Sequence, residues 1–170
     1  MTGRGMDQFK ILIFVSFLAL CQAKTTDCNE LEALINAERN RYGLASLDCD
    51  DGMRYVAWKH VTNQMENNFG LGGHCNLHSW AGELACCYTS DHGNSNCMWD
   101  KPKEIYGASR KGFEISTWTS GVQTAKGALD WWRGSQGHYG VLMTRGQWWQ
   151  DLSDFGCWVG GNYAHCWFAK

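Results

Sequence analysis

Six histidines, nine cysteines and ten tryptophans carry most of the chemistry open to this chain. The tightest local cluster is His74-Cys75-His78, in which the two imidazoles would share a helical face as they do in zinc sites. Gly72-Gly73 directly before it argues against a helix, and an oxidising compartment would place Cys75 in a disulfide instead. Ser135 and His138 could pair a hydroxyl with a base, but no orienting acid can be named beside them, and Asp130 lies on the wrong stretch of helix. His92, next to Asp91, reads as a solvated loop residue. His60 and His165 read as structural residues, the first on a helix and the second in a hairpin.

The tryptophans include the adjacent pairs Trp131-Trp132 and Trp148-Trp149. Adjacent residues point to different sides of any regular element, so one of each pair should be buried and its neighbour partly exposed. Packing accounts for that pattern. A stacking platform for sugar rings or an apolar wall for lipid is the sharper alternative. Charge excludes one class of partner: the net charge is -2, with 15 basic and 17 acidic residues, and no basic run could line a phosphate backbone. Nucleic acid is not an expected partner.

The N-terminus reads as a secretory signal over residues 1–23. Arg4 and Lys10 precede the apolar run from Ile11 to Leu20, and Cys21-Gln22-Ala23 offers a cleavage site. That run is ten residues, whereas a bilayer span needs about 20, so no transmembrane anchor is expected. The mature chain then starts at residue 24 and keeps eight cysteines: Cys28, Cys49, Cys75, Cys86, Cys87, Cys97, Cys157 and Cys166. An even number in a secreted chain implies up to four disulfides, whose pairing the sequence leaves open. One bridge follows from geometry. Aromatic-rich runs flank Gly160-Gly161-Asn162, and with Gly161-Asn162 as a two-residue turn Cys157 falls opposite Cys166.

These residues need a scaffold. Thr25-Thr26-Asp27 offers N-cap oxygens for a first helix carrying Leu31, Leu34, Ile35 and Glu38 and ending near Gly43. A second follows Asp50-Asp51, with Met53, Ala57, Val61 and Met65 on its apolar face and Val56 and Trp58 widening it. Residues 70–112 show no sustained period and read as a stapled loop region ordered by Cys75, Cys86, Cys87 and Cys97. A third helix is expected from Val122 to Trp132, then strands near Tyr139–Met143, Phe155–Val159 and Tyr163–Phe168. Helices first and strands last give an α+β layer fold in a single domain over residues 24–170.

Several of these segments resemble the CAP superfamily of cysteine-rich secretory, antigen 5 and pathogenesis-related proteins. Leu34-Ile35-Asn36-Ala37-Glu38-Arg39-Asn40 through Leu47 is similar to the family's first helix, and Met53 to Trp58 loosely to its second. Gly73-His74-Cys75-Asn76-Leu77-His78-Ser79 is similar to its histidine-bearing segment. Trp131-Trp132-Arg133-Gly134-Ser135-Gln136-Gly137-His138-Tyr139 is similar to its tryptophan and Gly-His segment, and the cysteine-bearing hairpin fits its closing strands. The resemblance implies an α-β-α sandwich with a three-stranded antiparallel sheet between helices.

It also implies a cleft with two histidines and two acidic residues that can bind a divalent metal such as zinc. His78 and His138 match the histidines. Glu114 matches one acid, in preference to Glu83 of Gly82-Glu83-Leu84, and Ser135 stands where the second acid belongs. Two imidazoles and a carboxylate form a His₂Glu set with an open position, which is the basis of a metal-dependent hydrolase. The reading the resemblance favours is a secreted, non-enzymatic protein binding a sterol, a lipid or an extracellular protein partner in defence, venom or signalling. The hydrolase and a carbohydrate-binding module using exposed tryptophans are the alternatives.

Overall fold

A computed structural model of the chain describes residues 28–68 and 73–170. The signal-peptide expectation, Cys21 and the proposed caps Thr25-Thr26-Asp27 lie outside the described residues. The first helix, α1 (Glu30–Arg41), is capped instead by Asn29. Its side chain accepts from the Glu32 amide at 3.1 Å while the Glu32 carboxylate accepts from the Asn29 amide at 2.8 Å, a reciprocal capping box. The chain leaves the helix through Gly43 at φ 73°, where a glycine takes the left-handed conformation freely.

Asp50 caps α2 (Asp51–Asn67) by accepting from the Met53 amide at 2.7 Å. Met53, Val56, Ala57 and Val61 are buried as expected, but Met65 is 50% exposed and Trp58 38%. The reason is geometric. Each four-residue step overshoots a full turn by about 40°, so three steps carry Met65 roughly 120° away from Met53.

The sheet has the order β1-β3-β4-β2. β3 (Asp154–Gly160) and β4 (Tyr163–Ala169) form the hairpin with Cys157 opposite Cys166, and Gly161 takes φ 54° in the turn. β2 (Gly112–Trp118) pairs antiparallel with β4, and the two-residue β1 (Asp48–Cys49) adds a parallel edge to β3. The third antiparallel strand is therefore β2, not Tyr139–Met143. Those residues fall largely in a short helix, α6 (Gln136–Leu142). A short apolar run such as Val141-Leu142-Met143 has no period of its own, and burial of all three suits either element. α5 (Ala125–Arg133) starts later than expected because Thr124, not a residue before Val122, caps it by accepting from the Gly127 amide; Val122 is exposed.

The stapled region is more ordered than its composition suggests. It contains a 3₁₀ turn (Gly82–Leu84), α3 (Ser95–Trp99) and α4 (Lys101–Tyr106), with Pro102 in the first turn of α4, where its missing N–H costs nothing. Disulfides Cys75–Cys87 and Cys86–Cys97 send adjacent cysteines to different partners. Cys28–Cys49 and Cys157–Cys166 complete the set of four.

Two cores make the layers. One, on the α1, α5 and α6 side of the sheet, includes Leu31, Ile35, Leu129, Trp132, Phe155 and Phe168. The other, between the sheet and α2 with the stapled segment, includes Met53, Val56, Trp80, Met98 and Trp167. This is an α-β-α arrangement. The start of α2 lies so close to β3 that a Cβ on Gly156 would collide with the backbone of Met53 and Arg54. Backbone cannot yield as a flexible side chain can. Gly156→Ala is expected to lower unfolding free energy by about 2 kcal/mol or more, measured by denaturant titration with the disulfides intact. An unchanged midpoint would show that the two elements separate at little cost.

Candidate functional site

A cleft of about 530 Å³ runs along the open edge of β2. Residues from both faces of that edge strand line it, Phe113 and Ile115 from one and Glu114 from the other. Met98, Trp99, Val141 and Trp149 extend the apolar wall, and Trp148, 60% exposed, stands at the rim. His78, Glu114, Ser135 and His138 all line this one cleft and give it a polar end.

Each of these is positioned by a separate element. His78 sits on the segment stapled by Cys75–Cys87, its backbone N–H donating to Asn76 at 3.0 Å. His138 rides on α6, which is pinned to α1 by Tyr139 donating to Glu38 at 3.1 Å and by Arg39 donating to the Leu142 carbonyl at 2.6 Å. The His138 Nδ1 meets the Ser135 hydroxyl at 2.7 Å, and its ring lies 5.1 Å from that of Trp131. Burial, then the neighbouring His78, pushes the His138 imidazolium down to a pKa of about 4. His138 is therefore neutral at physiological pH.

Glu114 is the centre of the site. Its side chain is fully buried, and three imidazoles converge on it. Oε1 meets His60 Nδ1 in a very short contact and His165 Nδ1 at 2.7 Å, while Oε2 meets His78 Nδ1 at 2.8 Å. His60 comes from the buried face of α2 and stacks on Trp80 at 4.0 Å with an interplanar angle of 7°. His165 comes from β4, diagonally across the ladder from Glu114, which pairs with Trp167. Burial alone would raise the Glu114 carboxyl, but His60 and His165 outweigh it and hold the group well below its ordinary range. Burial, then His60, pushes His165 down to about 4, with Glu114 opposing.

His60 and His165 were read from sequence as structural residues; both are buried and serve the site by bonding Glu114 from behind. A signal was available: His60 interrupts the apolar face between Val56-Ala57 and Val61, and a buried polar ring demands a partner. His74 is exposed and Cys75 is bonded to Cys87, so the local His74-Cys75-His78 cluster is not formed. Glu83 is exposed in its 3₁₀ turn, away from the cleft residues. His92 is exposed, lines the cleft mouth and meets the Tyr88 hydroxyl at 2.7 Å. Of the tryptophan pairs, Trp132 is buried with Trp131 exposed, and Trp149 is half-buried with Trp148 exposed.

The arrangement limits what chemistry is available. The orienting carboxylate serves His78, whereas the hydroxyl serves His138, so serine, histidine and acid are not aligned as a triad requires. Asp130 pairs with Lys126 and, at 2.6 Å, with Arg133. Both Glu114 oxygens are occupied by imidazole nitrogens. The His₂Glu metal set with an open position therefore does not fit these residues.

No family model matches the chain, and no curated protein matches it. Solved structures do resemble it, among them the following three, each over 82% of its length. An outer surface protein of Borrelia burgdorferi is 16% identical with a TM-score of 0.56, over 89% of that protein. A cysteine-rich secretory protein of Staphylococcus aureus is 12% identical with a TM-score of 0.55. An extracellular protein of Bacillus anthracis containing an SCP domain is 20% identical with a TM-score of 0.54. The chain has the SCP, or CAP, fold. It spans only 37% and 39% of the latter two proteins. Within the SCP fold, the segments that carried the sequence resemblance now have places: α1, α2, the His78 segment, the α5–α6 junction and the closing hairpin.

The buried histidines give stability a definite pH dependence. His138 and His165 have folded pKa values of about 4 against an ordinary 6.5. Between those limits the unfolded chain takes up protons that the folded chain refuses, so acidification favours unfolding. Glu114 acts in the same sense: its stabilisation is present above its ordinary value of 4.5 and is lost as pH falls through the lowered one. The melting temperature is expected to fall by roughly 5 °C or more from pH 7.5 to pH 5. Calorimetry checks this, and an unchanged or higher value at pH 5 would refute the assignment.

Proposed function

We propose that this is an extracellular SCP-fold protein that binds a small apolar or amphipathic ligand, of the sterol or lipid class, in the β2-edge cleft. The observation that carries the reading is the cleft itself: aromatic and aliphatic walls closed at one end by a few convergent polar groups, as ligand pockets are built. Its volume of about 530 Å³ lies within the usual range for small-molecule sites. Secretion is supported by four disulfides, which persist in oxidising compartments. Among the described residues no helix is long and apolar enough to cross a membrane. A non-enzymatic role is favoured by the division of acid and hydroxyl between two histidines.

Binding is tested by native mass spectrometry and tryptophan fluorescence of the oxidised chain with a sterol and with medium-chain lipids. Val141→Trp, which fills the cleft, is expected to abolish binding, and Trp149→Ala, which removes a wall, to weaken it about tenfold. Absence of binding to every probe at micromolar concentration would sink the reading.

Metal is the second proposal, at His78 and His138 alone. Both line the same cleft, and a neutral imidazole such as His138 is the ligating form. Zinc titration of the oxidised chain is then expected to saturate near one ion per chain and to fail in the His78→Ala/His138→Ala double variant. Equal binding by the double variant would place the ion elsewhere.

A further inference from the structure

The main chain of β2 has one edge that β4 does not use. Antiparallel pairing spends the N–H and C=O of alternate residues on each neighbour. In β3 the outward groups are identified by what they bond. The Phe155 carbonyl accepts from the Asp50 amide at 2.8 Å, the Cys157 amide donates to Glu32 at 2.8 Å, and the Cys157 carbonyl accepts from Asn29 at 2.7 Å. Gly156 and Trp158 therefore bond Trp167 and His165 of β4, which leaves Cys166 and Phe168 to bond Ile115 and Phe113 of β2. By the same alternation Glu114 and Ser116 turn their amides and carbonyls away from the sheet. The Ser116 carbonyl bears this out by accepting from Trp132 Nε1 at 3.1 Å.

Glu114 has no such partner: among the described residues nothing bonds its main-chain N–H or C=O on the open edge. Its side chain is wholly buried, yet the residue keeps 7% exposure, so the part that solvent reaches is the main chain. Glu114 lines the cleft. The cleft wall thus carries a donor and an acceptor spaced as one residue of a strand, and a bare edge of this kind is a template for another strand.

The surroundings suit the same occupant. Phe113 and Ile115 pack with Val141 and Trp149 on one side of the edge, and Glu114 meets His78 on the other. A strand laid against Glu114 turns its paired residue to the His78 side and both flanking residues to the apolar side. Trp132 closes the edge at Ser116. The Gly112 end is cationic: Lys111 Nζ lies 5.0 Å from the Trp99 ring and Lys170 Nζ 5.8 Å from the Phe113 ring, and both rings line the cleft. Lys111 bonds the neutral Asn96 side chain at 2.9 Å, and Lys170 has the exposed Asp151 at 3.9 Å. An antiparallel strand on β2 runs from the Ser116 end to the Gly112 end, so its C-terminus arrives at these ammonium groups.

We propose that the cleft captures the free C-terminal tail of an extracellular polypeptide as an added antiparallel strand on β2. The residue opposite Glu114 exchanges both main-chain hydrogen bonds with it, the apolar side chains flanking that residue meet Phe113 and Ile115, and the terminal carboxylate meets Lys111 and Lys170. Main-chain bonds then supply affinity, and the alternate side chains supply sequence preference. This goes beyond the lipid reading and does not rest on it, because it uses the β2 main chain and not the apolar volume alone.

The test uses acetyl-Val-Thr-Val with a free carboxylate, its binding to the oxidised full chain read by the fluorescence of Trp99 and Trp149 in the cleft. N-methylation at the threonine removes the N–H destined for the Glu114 carbonyl and is expected to weaken binding at least about tenfold. N-methylation at the final valine, whose N–H faces away from β2, is expected to leave affinity within about threefold. Replacing the carboxylate by a carboxamide is expected to cost about threefold at low salt and nothing at high salt, and Lys111→Ala/Lys170→Ala to bind acid and amide alike. Equal loss from the two methylations, or none from the first, would overturn the added strand. An amide that binds the natural chain as well as the acid at low salt would overturn the orientation. Failure of the acid peptide to bind at millimolar concentration would overturn the proposal as a whole, while the lipid reading stands or falls on its own probes.

Discussion

A carboxylate with no solvent contact, Glu114, is the constraint around which this molecule is arranged. An ionised group in that position is tolerated only when its hydrogen bonds are complete. Completing them takes one imidazole from α2, one from β4 and one from the stapled segment. Glu114 itself lies on the edge strand, so four separate parts of the chain are fixed relative to one another by one side chain. The groups behind these rings are equally committed: His60 is held by the Ser79 carbonyl and by the face of Trp80, and Ser79 in turn holds the Tyr88 amide at 2.8 Å. The network reaches the cleft at Glu114 itself and at His78, the more exposed of the two. Its interior members, His60 and His165, are fully buried, and His78 lines the space a ligand would fill.

The opposite wall is built by different means. His138 is not tied to the carboxylate but to α6, whose position depends on Arg39 and Glu38 of α1. Glu38 also accepts two bonds from Arg133 of α5, at 3.1 and 2.6 Å. The cleft therefore lies between two polar clusters, one in each layer, with the apolar edge of the sheet between them. Covalent links shape the segment that carries His78. Cys75–Cys87 and Cys86–Cys97 order a glycine- and asparagine-rich segment that could not bury enough apolar surface to order itself.

How much of this was legible in the sequence varies with the kind of signal. Cys157 and Cys166 could be paired because a two-residue turn sets the register and the register sets the distance. α1 and α2 could be placed because helical spacing of apolar residues is a local property. β2 could not: Gly-Phe-Glu-Ile-Ser-Thr-Trp is buried on both faces, so it lacks the alternation of a half-buried strand, and its charged centre is the feature that disguises it. Tyr139–Met143 failed in the opposite direction, because a short apolar run fits a strand or a helix. The residues His78, Glu114, Ser135 and His138 came from family resemblance. His60 and His165 were missed as site residues, since their roles arise from contacts 54 and 51 residues away in sequence.

Glu114 also illustrates why fold resemblance stops short of function. The sequence match implied an acid and two histidines sharing one task. In this chain the acid is saturated by His60, His165 and His78, and Ser135 takes up His138. A third imidazole from α2 and a fourth from β4 both bond Oε1 of a carboxylate in the cleft wall and make it an anchor. The consequence is chemical: a free carboxylate would act as base or ligand, whereas one held by three imidazoles is spent on positioning them.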